Sequence, residues 1–145
     1  MSGPDLESFL GALEAPEARQ RADAASSLGD LSRGDMPGED FERVVAALLA
    51  RAARESEPEA LEAILYTVGE LVDRPSSGAG ANWDPLVPLL GTLNDPECKG
   101  YVLTALGLAR HERYRTAIEP YLTDGHSGVR EAARGALAEL DHASK

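Results

Sequence analysis

Cysteine, lysine and aromatic side chains are scarce in this chain: among 145 residues there is one cysteine, Cys98, two lysines, Lys99 and Lys145, and 5% aromatics. A single thiol rules out an internal disulfide framework and fits a reducing compartment, so a cytoplasmic location is expected. Residues 1–5 hold no basic stretch leading into an apolar run, and the longest aliphatic stretches, such as residues 44–50, are too short to span a bilayer. Neither an export signal nor a membrane anchor is therefore expected. Positive charge is also short, with 14 basic residues against 25 acidic ones and a net charge of −11. That balance opposes contact with nucleic-acid phosphates or anionic lipid, both of which need local positive charge, and favours a basic or neutral protein partner. Acidity of this kind also keeps an exposed helical surface soluble. Alanine and arginine are abundant where lysine is nearly absent, a bias that points to a GC-rich, bacterial genome. Strand signals are missing as well, since no stretch alternates apolar with polar residues and β-branched residues are few.

What the chain has is a repeat. Leu28-Gly29-Asp30-Leu31 recurs as Val68-Gly69-Glu70-Leu71, as Leu106-Gly107-Leu108-Ala109 and as Leu137-Ala138-Glu139-Leu140, at spacings of 40, 38 and 31 residues. Two short helices fit in each such unit, which predicts an all-α fold, an α-solenoid of about four antiparallel helix pairs. The whole chain, 1–145, reads as a single domain with repeats at about 5–31, 39–72, 83–110 and 112–140. Helical patterning alternates with breakers to place eight helices at 5–13, 16–31, 39–54, 58–72, 84–93, 96–110, 114–122 and 127–140. Pro16, Pro58 and Pro96 are expected in first turns, where a missing N–H costs nothing. Glu17, Glu57, Glu59 and Glu97 stand there beside the positive end of the helix dipole. Two connections, 32–38 and 74–82, are rich in Gly, Pro and Ser and are expected to be flexible.

Each second helix can be numbered from its key aliphatic residue, Leu28, Val68, Leu106 or Leu137. Offsets −8, −5, −4, −1, 0 and +3 then form one buried stripe. The last repeat fits this best, with Val129, Ala132, Ala133, Ala136, Leu137 and Leu140, and Cys98 falls on the stripe of the third. In the first repeat Gln20 and Asp23 enter the stripe, as in a terminal repeat with one free side. Offsets −9, −6, −2 and +2 point outward, and stacking would align them into rows along a concave surface. Those rows contain Asp30, Glu59, Glu62, Tyr66 and Glu70 in the first two repeats and Glu97, Thr104, Leu108, Glu131 and Glu139 in the last two, with Ala22 among them. Tyr66 would stand among Glu59, Glu62 and Glu70 as an aromatic anchor ringed by carboxylates, a surface suited to a Lys/Arg-rich loop or helix.

The segment Leu122-Thr123-Asp124-Gly125-His126-Ser127-Gly128-Val129-Arg130-Glu131-Ala132-Ala133 and its continuation Arg134-Gly135-Ala136-Leu137-Ala138-Glu139-Leu140 resembles a HEAT repeat of the bacterial type also found in phycobilisome lyases. The resemblance lies in the spacing of Asp, Val-Arg, Ala and Ala-Leu. Leu93-Asn94-Asp95 with Ala105-Leu106-Gly107 is a second good copy, residues 65–71 a fair one and 24–31 a weak one. It implies a curved stack of helix pairs whose concave face binds other macromolecules. The Val-Arg pair is replaced by Ala60-Leu61 in the second repeat and by Cys98-Lys99 in the third, which breaks any continuous Asp/Arg ladder.

Motifs that carry chemistry are few. His111, His126 and His142 are dispersed, with no second His or Cys at ligand spacing, so no metal site is expected. Cys98 reads as a small core residue rather than a nucleophile. No Walker-type phosphate loop, dinucleotide-binding glycine motif or Gly-x-Ser-x-Gly elbow is present, so neither a catalytic site nor a cofactor is expected. Arg110, Arg113 and Arg115 cluster near the last helix pair. The expected function is a non-enzymatic protein-binding module with an acidic concave face, in one form an inhibitor or immunity protein against a basic toxin. The alternative is a scaffold or regulatory subunit that binds a larger enzyme or assembly through apolar ridges.

Overall fold

The computed structural model of the protein describes residues 4–74 and 81–143. It is all-α: eight helices and no strand occur among the described residues. They are α1 (Pro4–Ala12), α2 (Ala18–Leu31), α3 (Gly38–Arg54), α4 (Pro58–Val72), α5 (Leu86–Thr92), α6 (Pro96–Leu108), α7 (Arg115–Ile118) and α8 (Ser127–Ala143). Contacts group the chain into two compact units, Met1–Asn82 and Trp83–Lys145.

In the first unit α2 packs on α1 and, most extensively, on α4, while α3 packs on α4. The core is aliphatic, with Leu28, Val44, Leu48, Ile64 and Leu71 fully inaccessible and Phe41 nearly so. Small residues let α2 and α4 approach: a methyl group at Gly29 would lie 3.1 Å from Thr67 Cγ2. The expected stripe holds at five of six positions on α4, where Ala60, Ile64, Thr67, Val68 and Leu71 are buried and Ala63 is half-buried. On α2 it does not, because Gln20 and Asp23 are exposed while Ala22, expected outside, is buried. The reason is positional. Offsets −8 and −5 lie on the side where a preceding helix pair would stack, whereas the side toward α4 buries Arg21, Ala22, Ala25 and Gly29.

In the second unit α6 packs against α5 and α8, and α8 also meets α7. Cys98 is buried on α6. Gly107 is required at the crossing, since a Cβ there would fall 2.6 Å from Ala136 Cα. The α6 helix closes on Arg110, whose φ of 59° is left-handed and whose N–H donates to the Gly107 carbonyl at 3.1 Å.

Two local expectations need correction. Residues 114–122 are not one helix: 3-10 turns at Glu112–Tyr114 and Glu119–Thr123 flank the short α7. Pro120 lacks the N–H that an α-helical ladder would need there, and its ring disfavours continuation of α7. Pro16 lies before Glu17, the N-cap of α2, rather than in its first turn, whereas Pro58 and Pro96 do open their helices. The 32–38 connection carries local order, as Ser32 is buried and its hydroxyl donates to the Gly29 carbonyl at 2.8 Å. Residues 75–80 of the second connection lie outside those described.

Candidate interaction face

Helix α4 turns one stripe outward. Glu59, Glu62, Tyr66 and Glu70 follow one another at three- and four-residue steps, the spacing that keeps side chains on one helical face. Glu59, Glu62 and Tyr66 are exposed and Glu70 is half-buried. Tyr66, at 56% accessibility, is the one large hydrophobic residue exposed among the described residues. Asp30 stands opposite on α2 and is exposed.

The two ends of this stripe differ electrostatically. At the C-terminal end Arg33 bridges both helices, pairing with Asp30 at 2.7 Å and Glu70 at 3.2 Å. Arg74 sits behind, donating to the Gly29 carbonyl at 3.1 Å and to the Ser32 hydroxyl, and burial pushes its guanidinium pKa down. At the N-terminal end no ion pair engages Glu59 or Glu62 among the described residues. The other arginines of the unit are committed elsewhere. Arg43 pairs with Glu7 at 2.9 Å, Arg54 with Glu14 at 2.8 Å, Arg51 with both Glu14 and Glu55, and Arg21 with Glu55 at 2.7 Å. The first 82 residues carry 16 acidic and 7 basic residues. With most of the cations tied to acids away from this stripe, its negative charge is concentrated at Glu59 and Glu62.

The remaining expected residues lie in the second unit. Glu97 and Thr104 are exposed on α6 and Leu108 is half-buried. The Glu97 carboxylate accepts the Tyr101 hydroxyl at 3.0 Å. On α8 Glu131 is exposed, and Glu139 pairs with Arg110 at 3.3 Å. Thus all ten expected residues avoid the core, five in each unit, but two of the three carboxylates in the second patch already have local partners.

The arginines near α7 are likewise neutralised. Arg115 pairs with Glu112 and, at 2.7 Å, with Asp141. Arg113 bonds Asp84 at 2.8 Å and lies 4.8 Å from the Tyr114 ring centroid. The buried Tyr114 hydroxyl donates to the same Asp84 oxygen at 2.6 Å, and burial first, then that carboxylate, pushes its pKa up. This cluster fastens the 3-10 turn at Glu112–Tyr114 to the start of α5.

Sequence reasoning missed Arg33 as the counter-ion of the acidic face, although its i,i+3 spacing from Asp30 signals the pair. It also missed Arg21 with Glu55, where nothing local relates residues 34 positions apart. Among the described residues no group of three or more His, Cys, Asp or Glu side chains is placed to hold a metal ion. No described helix is long and apolar enough to cross a membrane.

No protein-family model matches the chain, and no curated protein matches it. Among solved structures it is similar to a crystal structure of an engineered protein, at a TM-score of 0.68 and 20% sequence identity. That likeness covers 97% of this chain and 66% of the other, and at this identity it speaks for the all-helical fold alone.

Proposed function

We propose that the chain is a non-enzymatic, cytoplasmic protein-binding module of HEAT-like helix pairs whose acidic face on α4 grips a basic partner. The observation that carries this reading is the open stripe of Glu59, Glu62 and Tyr66, uncompensated at one end while five of the seven arginines in the first 82 residues pair with carboxylates. An exposed aromatic beside unpaired carboxylates offers a Lys/Arg-rich segment both a desolvated contact and charge complementarity. Direct packing of second helices, α2 on α4 and α6 on α8, supports the HEAT-like reading. An inhibitor or immunity protein that presents carboxylates where a basic toxin takes its substrate phosphates is one concrete form. The scaffold reading needs an apolar ridge, and Tyr66 is the one large hydrophobic residue exposed among those described.

Affinity capture from the native lysate at low and high salt, with mass spectrometry of what is retained, tests the proposal. A basic protein that elutes with salt and is lost in the Glu62→Lys/Glu70→Lys variant is expected. A partner retained at high salt and by that variant overturns the acidic-face reading.

A further inference from the structure

Arg21 on α2 and Arg130 on α8 occupy the same repeat position, seven residues before Leu28 and Leu137. Both turn back on their own chain, Arg21 also reaching the Pro16 carbonyl at 3.1 Å. Arg21 Nη1 donates to the Ala15 carbonyl at 2.8 Å and Arg130 Nη1 to the Asp124 carbonyl at 2.7 Å, six residues upstream in each case. Arg21 then directs its other edge at Glu55, Nε and Nη2 making bonds of 2.7 and 2.8 Å to the two carboxylate oxygens. Glu55 lies in the connection leading into α4, the helix packed on α2. Arg130 has no counterpart to Glu55, since no carboxylate among the described residues lies within ion-pair distance of it.

The surrounding face is open to match. Offsets −7, −6, −3, 0, +1 and +4 on α2 are Arg21, Ala22, Ala25, Leu28, Gly29 and Ser32, all buried. On α8 these offsets are Arg130, Glu131, Arg134, Leu137, Ala138 and Asp141, none buried. Gly100 and Gly107 of α6 meet α8 at Ala132 and Ala136, so this open face is the one turned away from α6. The planar fork matters to the pairing. Lys99 holds the equivalent place on α6, yet no ion pair joins it to Asp124, the acid before α8, among the described residues.

We propose that the outer face of α8 is a docking surface for an acidic segment of a partner protein. Arg130 takes one carboxylate in the bidentate manner in which Arg21 takes Glu55, and Arg134, one turn further along the same face, takes a second. The α2 site supplies the template for the geometry, and the two arginines, without a carboxylate partner among the described residues, select the occupant, since Asp141 on the same face is already paired with Arg115. This surface is separate from the acidic stripe on α4, and failure of either proposal leaves the other standing.

The test uses the full chain and a synthetic peptide of its own residues Glu55-Ser56-Glu57-Pro58-Glu59, the acidic segment that reaches the equivalent place on α2. The Nε–Hε resonances of the arginines are followed by NMR during titration. Saturable shifts at Arg130 and Arg134 are expected. They should disappear with a peptide whose glutamates are replaced by glutamine, and binding should weaken about five-fold in Arg130→Gln. Arg134→Gln, which leaves the Asp124 carbonyl contact intact, should weaken it similarly and covers the case in which loss of Arg130 disturbs α8. Equal shifts with the glutamine peptide, unchanged binding in both variants, or shifts centred on other arginines overturn the proposal.

Discussion

At Glu55 four donors converge on one carboxylate with an inaccessible side chain: Nε and Nη2 of Arg21, Nε of Arg51 at 3.2 Å, and the Glu57 N–H at 3.1 Å. The Arg21 bonds outweigh the opposing cost of burial and hold the carboxyl at about 2, below its ordinary 4.5. A depressed folded-state pKa means that the folded protein favours the charged form. Its stabilisation is complete above pH 4.5 and is lost as pH falls through the window down to about 2. The shift corresponds to roughly 3 kcal/mol at neutral pH. Urea unfolding across that window should therefore show a steep loss of stability that Glu55→Gln flattens, with the variant about 3 kcal/mol less stable at pH 7. An acid profile that is the same in both proteins would dismiss Glu55 as its source. Gly107 is as sensitive to size as Glu55 is to charge. Gly107→Ala would drive a methyl into the backbone of Ala136 and should cost about 1–3 kcal/mol by thermal melting. Gly135→Ala on α8 meets nothing within 4 Å and should be neutral or stabilise by up to about 1 kcal/mol through helix propensity.

Among the elements, the helices that sequence located best are those with explicit punctuation. The α6 helix begins where Asp95 precedes Pro96, and the Asp95 carboxylate accepts the Glu97 N–H at 3.1 Å. Asp95→Ala should cost about 1 kcal/mol, read from denaturant midpoints, and an unchanged midpoint would mean that the cap adds nothing. Asp124 repeats this turn before α8, accepting the His126 N–H at 2.9 Å, so the Asp of the repeat pattern was legible by its position but not by its role. Periodicity placed most of the buried stripe on α4 and α8, although Ala63, Ala132 and Leu137 are only half-buried. It misplaced Gln20, Asp23 and Ala22 on α2 because the pattern presumes a neighbour on both sides and α2 has α4 on one only. The broken α7 was foreshadowed by Pro120, a local signal. The outward placement of the acidic residues was legible for the same reason as the stripe, since both follow from one helical period. Their neutralisation by Arg33 and Arg110 was not, since those arginines lie beyond the helix ends and reach back across space.

For the molecule as a whole, stability rests on helix-to-helix packing within each of its two units. Removing residues 112–145 takes away α7 and α8 and uncovers Gly107 on α6, which is buried against Ala136 in the full chain. The truncated chain should melt with a broader, less cooperative transition in differential scanning calorimetry; a transition as sharp as that of the full chain would show that α8 is dispensable to the core. Charge is also distributed unevenly, with 16 acidic and 7 basic residues before position 83 and 9 acidic and 7 basic residues from there on. High salt should therefore relieve more self-repulsion in the first unit than in the second. The contact of Gly107 with Ala136 has a mechanical consequence. Helices that touch through backbone have no side chain between them to deform, so a load applied along α8 reaches α6 undamped. Within this unit the compliant element is then the segment interrupted at Pro120, and a molecule stretched by its C-terminal helix should yield there before the α6–α8 joint slips.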